Sequence, residues 1–155
     1  MKLGICFLMG HKDTPSEIFP ILTDSIEKHI TQYGVKEFFF GNHGNFDSMA
    51  VRALTLLKHR YPHIRRILIE PYHPALTGKM SIEAADELFY PFEKPVIPQY
   101  AVLKANDKMI DLCDDMIVYV GHTGKSKDCF EYAKRRSKKK RLNIDHLADR
   151  IKETP

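Results

Sequence analysis

The chain holds three cysteines, Cys6, Cys113 and Cys129, an odd number at wide spacing that excludes a disulfide framework. Such usage fits a reducing compartment, and a cytoplasmic location is expected. No apolar run approaches the roughly 20 residues of a bilayer-spanning helix, so no membrane partner is expected. The apolar opening, Leu3 to Met9, follows a single lysine and runs into Gly10-His11-Lys12 without a small-residue cleavage site. It reads as a buried strand, not a signal peptide. No CxxC or HExxH spacing occurs and the eight histidines are scattered, so neither a metal nor a cofactor is expected. Spacing supports no Ser-His-Asp or Cys-His arrangement. Gly124-Lys125-Ser126 ends like a phosphate loop, but GxxxxGK[ST] needs glycine at position 119, which is Tyr119.

What is present is globular: 155 residues with 43% hydrophobic content suit one domain spanning 1–155. The net charge of +4 is local. Seven of the 24 Lys and Arg fall between Lys134 and Arg141, and the other 17 face 20 Asp and Glu, leaving the rest at −3. That run could neutralise phosphates of a nucleic acid, or it could be a solvated helix end whose cations meet the macrodipole.

Strand and helix patterns alternate along the chain. Residues 3–9 read as strand one. Thr14 as cap, Pro15 at the first helical position and Glu17 closing a capping box begin a helix carrying Ile18, Leu22, Ile26, Ile30 and Tyr33, which Gly34 ends. Strand two, 35–40, closes on the aromatic run Phe38-Phe39-Phe40. A helix over about 46–60 and a strand over 64–70 follow. The proline-dotted stretch 71–98 is too long for a simple loop and could cover a sheet edge or a pocket, with a short helix over 81–87. A helix over about 100–113 turns Val102, Ala105, Met109 and Leu112 inward. Strand four, 115–120, a helix over about 127–136, a short strand at 142–144 and a terminal helix to 152 complete the pattern. The fold class is α/β: a Rossmann-like three-layer sandwich, with a mostly parallel sheet of about five strands and helices on both faces.

In such a sheet ligands bind beyond the carboxyl ends of the strands. Gly10, His11 and Lys12 end strand one. Gly41, Asn42, Gly44, Phe46 and Asp47 follow strand two, where Gly41 and Gly44 supply unusual φ values and close backbone approach and Asn45 or Asp47 caps the helix. Pro71 to Pro74 follow strand three, and Gly121, Thr123, Gly124 and Ser126 follow strand four. Backbone N–H groups with Lys12 and His11 make an anion cradle, and Lys125 could join it. Asn106 lies on the inward half of its helix, where a ligand or a loop could satisfy its amide. Asp111, Asp114 and Asp115, between elements, read as solvated or loop-orienting residues. Cys113 and Cys129 read as ordinary small residues.

These turns together resemble a known family. Gly10-His11-Lys12 is similar to the "GHR" signature of YspA-like proteins, with lysine for arginine. Residues 41–47 resemble their "GGAxGFD" turn, and Tyr61-Pro62 matches a pair after the second helix. Asn106, Met109 and Asp111 match a helix pattern, and residues 121–126 with Tyr132-Ala133 resemble "GGT…YA". The family belongs to the SLOG superfamily, with the DprA/Smf DNA-processing proteins and the LOG-type nucleoside-monophosphate phosphoribohydrolases. The resemblance implies a Rossmann-like fold with a nucleotide or nucleotide derivative on the rim. Against the LOG pattern "PGGxGTxxE", residues 121–129 lack the proline and paired glycines, and Cys129 stands where the catalytic glutamate belongs. Lys12 also removes the planar fork that binds phosphate bidentately.

A sensor-like module for a nucleotide-like molecule is therefore expected, with no assigned catalytic residue. Two other uses stay open. A phosphoribohydrolase-like enzyme would need Asp47, Asp111 or Glu131 as acid or base, and a nucleic-acid-binding protein would use residues 134–141. Apolar helix faces could equally meet a second copy in a homo-oligomer.

Overall fold

Five consecutive residues of β1 (Ile5–Gly10), from Ile5 to Met9, are closed off from solvent on two sides. Cys6 and Leu8 join one apolar cluster, and Ile5, Phe7 and Met9 join another. The period-two alternation of a strand does this when both faces are covered. β2 (Glu37–Phe40) divides the same way, with Phe38 and Phe40 on one side and Phe39 on the other. With β3 (Arg65–Ile69), β4 (Glu87–Phe89), β5 (Asp115–Tyr119) and β6 (Asn143–His146), these strands form one all-parallel sheet in the order β4-β3-β2-β1-β5-β6. The computed structural model describes residues 4–72 and 85–152. Among them no helix is long and apolar enough to cross a membrane.

On the first face lie α1 (Phe19–Thr31), α2 (Asn45–Arg60) and Leu147 of α5 (Leu147–Lys152). On the second lie α3 (Pro98–Leu112) and α4 (Lys125–Ser137). The chain winds outward from β1 through β2 and β3 to β4, then returns to place β5 beside β1. That reversal is the switch point of the sheet, and it opens a crevice between the loops after β1 and β5.

The three-layer architecture agrees with the sequence reading, and several local details differ from it. The sixth strand, β4, lies inside the proline-dotted stretch. Three residues carry too little periodicity to read as a strand, and Asp86 supplies what the pattern lacks. Its carboxylate accepts from Arg66 N–H (2.7 Å), Nε (3.1 Å) and Nη2 (3.0 Å) and from Lys58 Nζ (3.2 Å). The short helix expected over 81–87 falls partly outside the described residues, and its last residue opens β4. Thr14 is not a helix cap. Its hydroxyl donates to the His11 carbonyl (2.7 Å), and a 3-10 turn, Ser16–Ile18, precedes α1. On α3 the buried positions are Ala101, Ala105, Met109 and Ile110, while Leu112 is exposed. Asp115 is fully buried within β5 and accepts from Asn143 Nδ2 (3.2 Å), so it is no solvated linker residue.

The basic run is partly engaged within the chain. Lys140 Nζ donates to the carbonyls of Ile110 (2.9 Å), Asp111 (2.7 Å) and Cys113 (2.8 Å), which satisfies the open end of α3. Arg136 pairs with Asp111 at 2.8 Å and Lys134 with Glu131 at 3.1 Å. Lys138 and Lys139 are exposed. Lys140→Met is therefore expected to lower stability by about 1–2 kcal/mol, because three carbonyls lose a charged donor. In thermal denaturation Lys138→Met and Lys139→Met should each stay within about 0.5 kcal/mol of the parent.

Candidate functional site

Two absent Cβ atoms shape the crevice. A Cβ on Gly10 would lie 2.4 Å from the Phe46 ring, and one on Gly44 would lie 2.4 Å from Lys12 Cα. The turn after β2 is thus laid directly on the loop after β1, and Asn45 N–H reaches the Lys12 carbonyl at 2.9 Å. Close approach, not backbone conformation, is what Gly44 supplies. Neither Gly41 nor Gly44 lies in the positive-φ region that favours glycine, contrary to the sequence reading: Gly44 is extended at φ 172°, and the rim glycine in that region is Gly124 at +143°.

The three loops wall a cavity of about 90 Å³. Its lining includes six expected site residues, namely Gly10, Lys12, Gly41, Asp47, Asn106 and Ser126. His43, Lys125 and Val102 complete it over a floor from β1. Ser126 is held by its hydroxyl, which donates to the Gly10 carbonyl at 3.1 Å. α2 and α4 both start at this rim, so both direct positive dipole ends toward it, although the Asn45 and Phe46 N–H groups of α2 are taken by the carbonyls of Lys12 and His11. Asn42, Gly121, Thr123 and Gly124 are exposed around the mouth, and Phe46 is fully buried beneath it. The described residues bring nothing from the turn after β3 into the cavity; His73 and Pro74 lie outside them.

Asp47 does not cap α2, whose N-cap is Gly44 without a side-chain bond. Its carboxylate turns back on its own loop, accepting His43 N–H at 3.0 Å. Burial pushes the Asp47 pKa up, against the lowering effect of that hydrogen bond and of nearby His43. Of the three candidate acid–base carboxylates it alone lines the cavity. Asp111 is bound by Arg136 and the Tyr132 hydroxyl, and Glu131 pairs with Lys134. Cys129 is buried in the core between α4 and the sheet.

Beside the cavity, His11 and His122 stack with ring centroids 3.7 Å apart and planes within 6°. His11 is buried, and its Nε2 accepts the backbone N–H of His122 at 3.2 Å. That acceptor role requires a neutral ring. Burial, with the charge of His122, holds the His11 pKa down accordingly. His122 is the opposite case, since Nε2 faces Asp13 Oδ1 at 2.9 Å and Nδ1 faces the Thr123 carbonyl at 2.7 Å. Two acceptors favour the imidazolium, and the Asp13 hydrogen bond raises the His122 pKa first among its causes. The same bond lowers that of Asp13. No local spacing announces this group, because residues 11, 13 and 122 meet only across the switch point. Among the described residues it is the one set of three His, Cys, Asp or Glu donors close enough to share an ion.

Gly44→Ala should cost about 1–3 kcal/mol, the usual penalty of overpacking, in chemical denaturation. For Asp47 the sign follows from its raised pKa. The folded state favours the protonated carboxyl, so this residue's contribution is fully present at acid pH and is lost as pH rises through its folded value. Asp47→Asn keeps an oxygen for His43 N–H and removes the charge. It should be more stable than the parent at pH 7, with the advantage shrinking toward pH 4 in melts taken across that range.

A scan against protein-family models finds no match to this chain, and a search of curated proteins likewise finds none.

Proposed function

We propose that the rim holds a nucleotide or nucleotide derivative, gripped by a phosphate, as a binding or sensing module. The observation carrying this reading is the single cavity that joins the loops after β1, β2 and β5 and brings Lys12, Lys125, His43, Asn106 and Ser126 to one surface. Two lysines and two helix N-termini favour an anion. At about 90 Å³ the cavity is well below the roughly 300 Å³ of a whole-ligand site. It fits a phosphate-sized group, so the sugar and base lie over the open mouth among Asn42, Gly121 and Thr123. The resemblance to YspA-like members of the SLOG superfamily points to the same ligand class. Binding is favoured over cleavage because Cys129 is buried away from the cavity and the Asp47 carboxylate is committed to its own loop.

A thermal-shift panel of AMP, cyclic dinucleotides and ADP-ribose tests this. A binder at 100 times its dissociation constant adds about 2.7 kcal/mol. Lys12→Ala and Ser126→Ala should each weaken binding tenfold or more, about 1.4 kcal/mol. No stabilisation by any member would overturn the reading.

One observation favours a second use. Asp47 is a carboxyl with a raised pKa on the cavity wall, a setting suited to acid–base chemistry. A phosphoribohydrolase working through it releases adenine from AMP, and Asp47→Asn abolishes the release. A flat trace at high protein concentration removes this alternative.

A further inference from the structure

We propose that His11, Asp13 and His122 form a three-ligand site for a divalent transition-metal ion, with its remaining coordination positions open at the rim. The three side chains each present one donor atom within 4.8 Å of the other two. They come from the loops after β1 and β5, the two that flank the switch point of the sheet. Two imidazoles and one carboxylate are a donor set that suits zinc, iron, cobalt and nickel and leaves positions for water or substrate.

The division of roles follows from burial. His11 is the fixed ligand: it is 4% exposed, its carbonyl is held by Thr14, and its ring offers a neutral nitrogen. His122 and Asp13 are the movable ligands, with side chains 54% and 72% exposed. Donors bound at about 2.0–2.2 Å to one tetrahedral ion lie about 3.3–3.6 Å apart, so His122 Nε2 and Asp13 Oδ1, now 2.9 Å apart, must open to admit it. Rotation of these two exposed side chains supplies that adjustment while His11 stays in place.

Ion capture exchanges two hydrogen bonds, His122 N–H to His11 Nε2 and His122 Nε2–H to Asp13, for three metal–ligand bonds. The Nε2 proton leaves to solvent, as ligand deprotonation requires. Buried on one side and open on the other, such an ion would be polarised toward the rim, where water or an anion can complete its shell. Lys12, between the two ligands of the first loop, and Ser126, in the first turn of α4, line the cavity, so a metal-bound anion would also meet the cradle.

Metal alone is the probe. Untagged protein is titrated with Zn²⁺ by calorimetry and with Co²⁺ by visible absorption, the cobalt band reporting nitrogen and oxygen ligands in a site of low symmetry. One ion per chain is expected. His122→Ala and Asp13→Ala should each weaken binding by at least about 100-fold, beyond the 10–100-fold that loss of an outer partner costs. Both side chains are exposed, so both variants keep the fold, which circular dichroism verifies. His59→Ala, exposed in the last turn of α2, and His63→Ala, exposed just after it, should bind as the parent does. Absence of one-to-one binding, or binding that survives His122→Ala and Asp13→Ala, overturns the proposal. The titration contains no nucleotide, and the nucleotide panel can be run with chelator, so either reading can fail without the other.

Discussion

Contact between the loop after β1 and the turn after β2 requires two side chains to be missing. Interior and loop packing leaves no room for a methyl group 2.4 Å from another heavy atom, so Gly10 and Gly44 let one backbone rest on the other. From that contact the rest of the rim follows. Phe46 fills the space under Gly10, Asn45 N–H reaches the Lys12 carbonyl, and α2 begins at the crevice. Ser126, donating to the Gly10 carbonyl, brings the start of α4 to the same place. A hydroxyl and two absent methyl groups thereby gather three loops around one small cavity.

The electrostatics of the rim are split between neighbouring compartments. In the cavity, Lys12 and Lys125 face a carboxyl that burial drives toward its neutral form, which lessens its repulsion of an anion. Beside it, burial lowers the pKa of His11, which stacks on His122, and the hydrogen bond with Asp13 raises the pKa of His122.

Away from the rim, charged side chains act as fasteners of secondary structure. Lys140 closes α3, Asp86 ties the three-residue β4 to β3 and α2, and Asp115 binds β6 through Asn143. A run of cations that could neutralise the phosphates of a nucleic acid or end a solvated helix is thus partly spent on the chain's own carbonyls and carboxylates. Reaching Ile110, 30 residues away, is a matter of where α3 and the segment after α4 pack, which charge patterning along the chain does not encode.

The layered α/β architecture was legible because buried parallel strands are continuous apolar runs and amphipathic helices repeat at their own period. Leu3 to Met9, Phe38 to Phe40 and the faces of α1 and α2 show both patterns directly. The position of the rim was legible too, since glycines at strand ends mark where loops converge, and six expected residues line the cavity. Three things were decided only in three dimensions. β4 depends on Asp86 reaching Arg66, the end of α3 depends on Lys140, and the His11–His122–Asp13 group depends on β5 returning to lie beside β1. Each joins residues 20 or more positions apart. Periodicity reports only the face a residue occupies within its own element. Which distant side chain it then meets is set by the order of the strands.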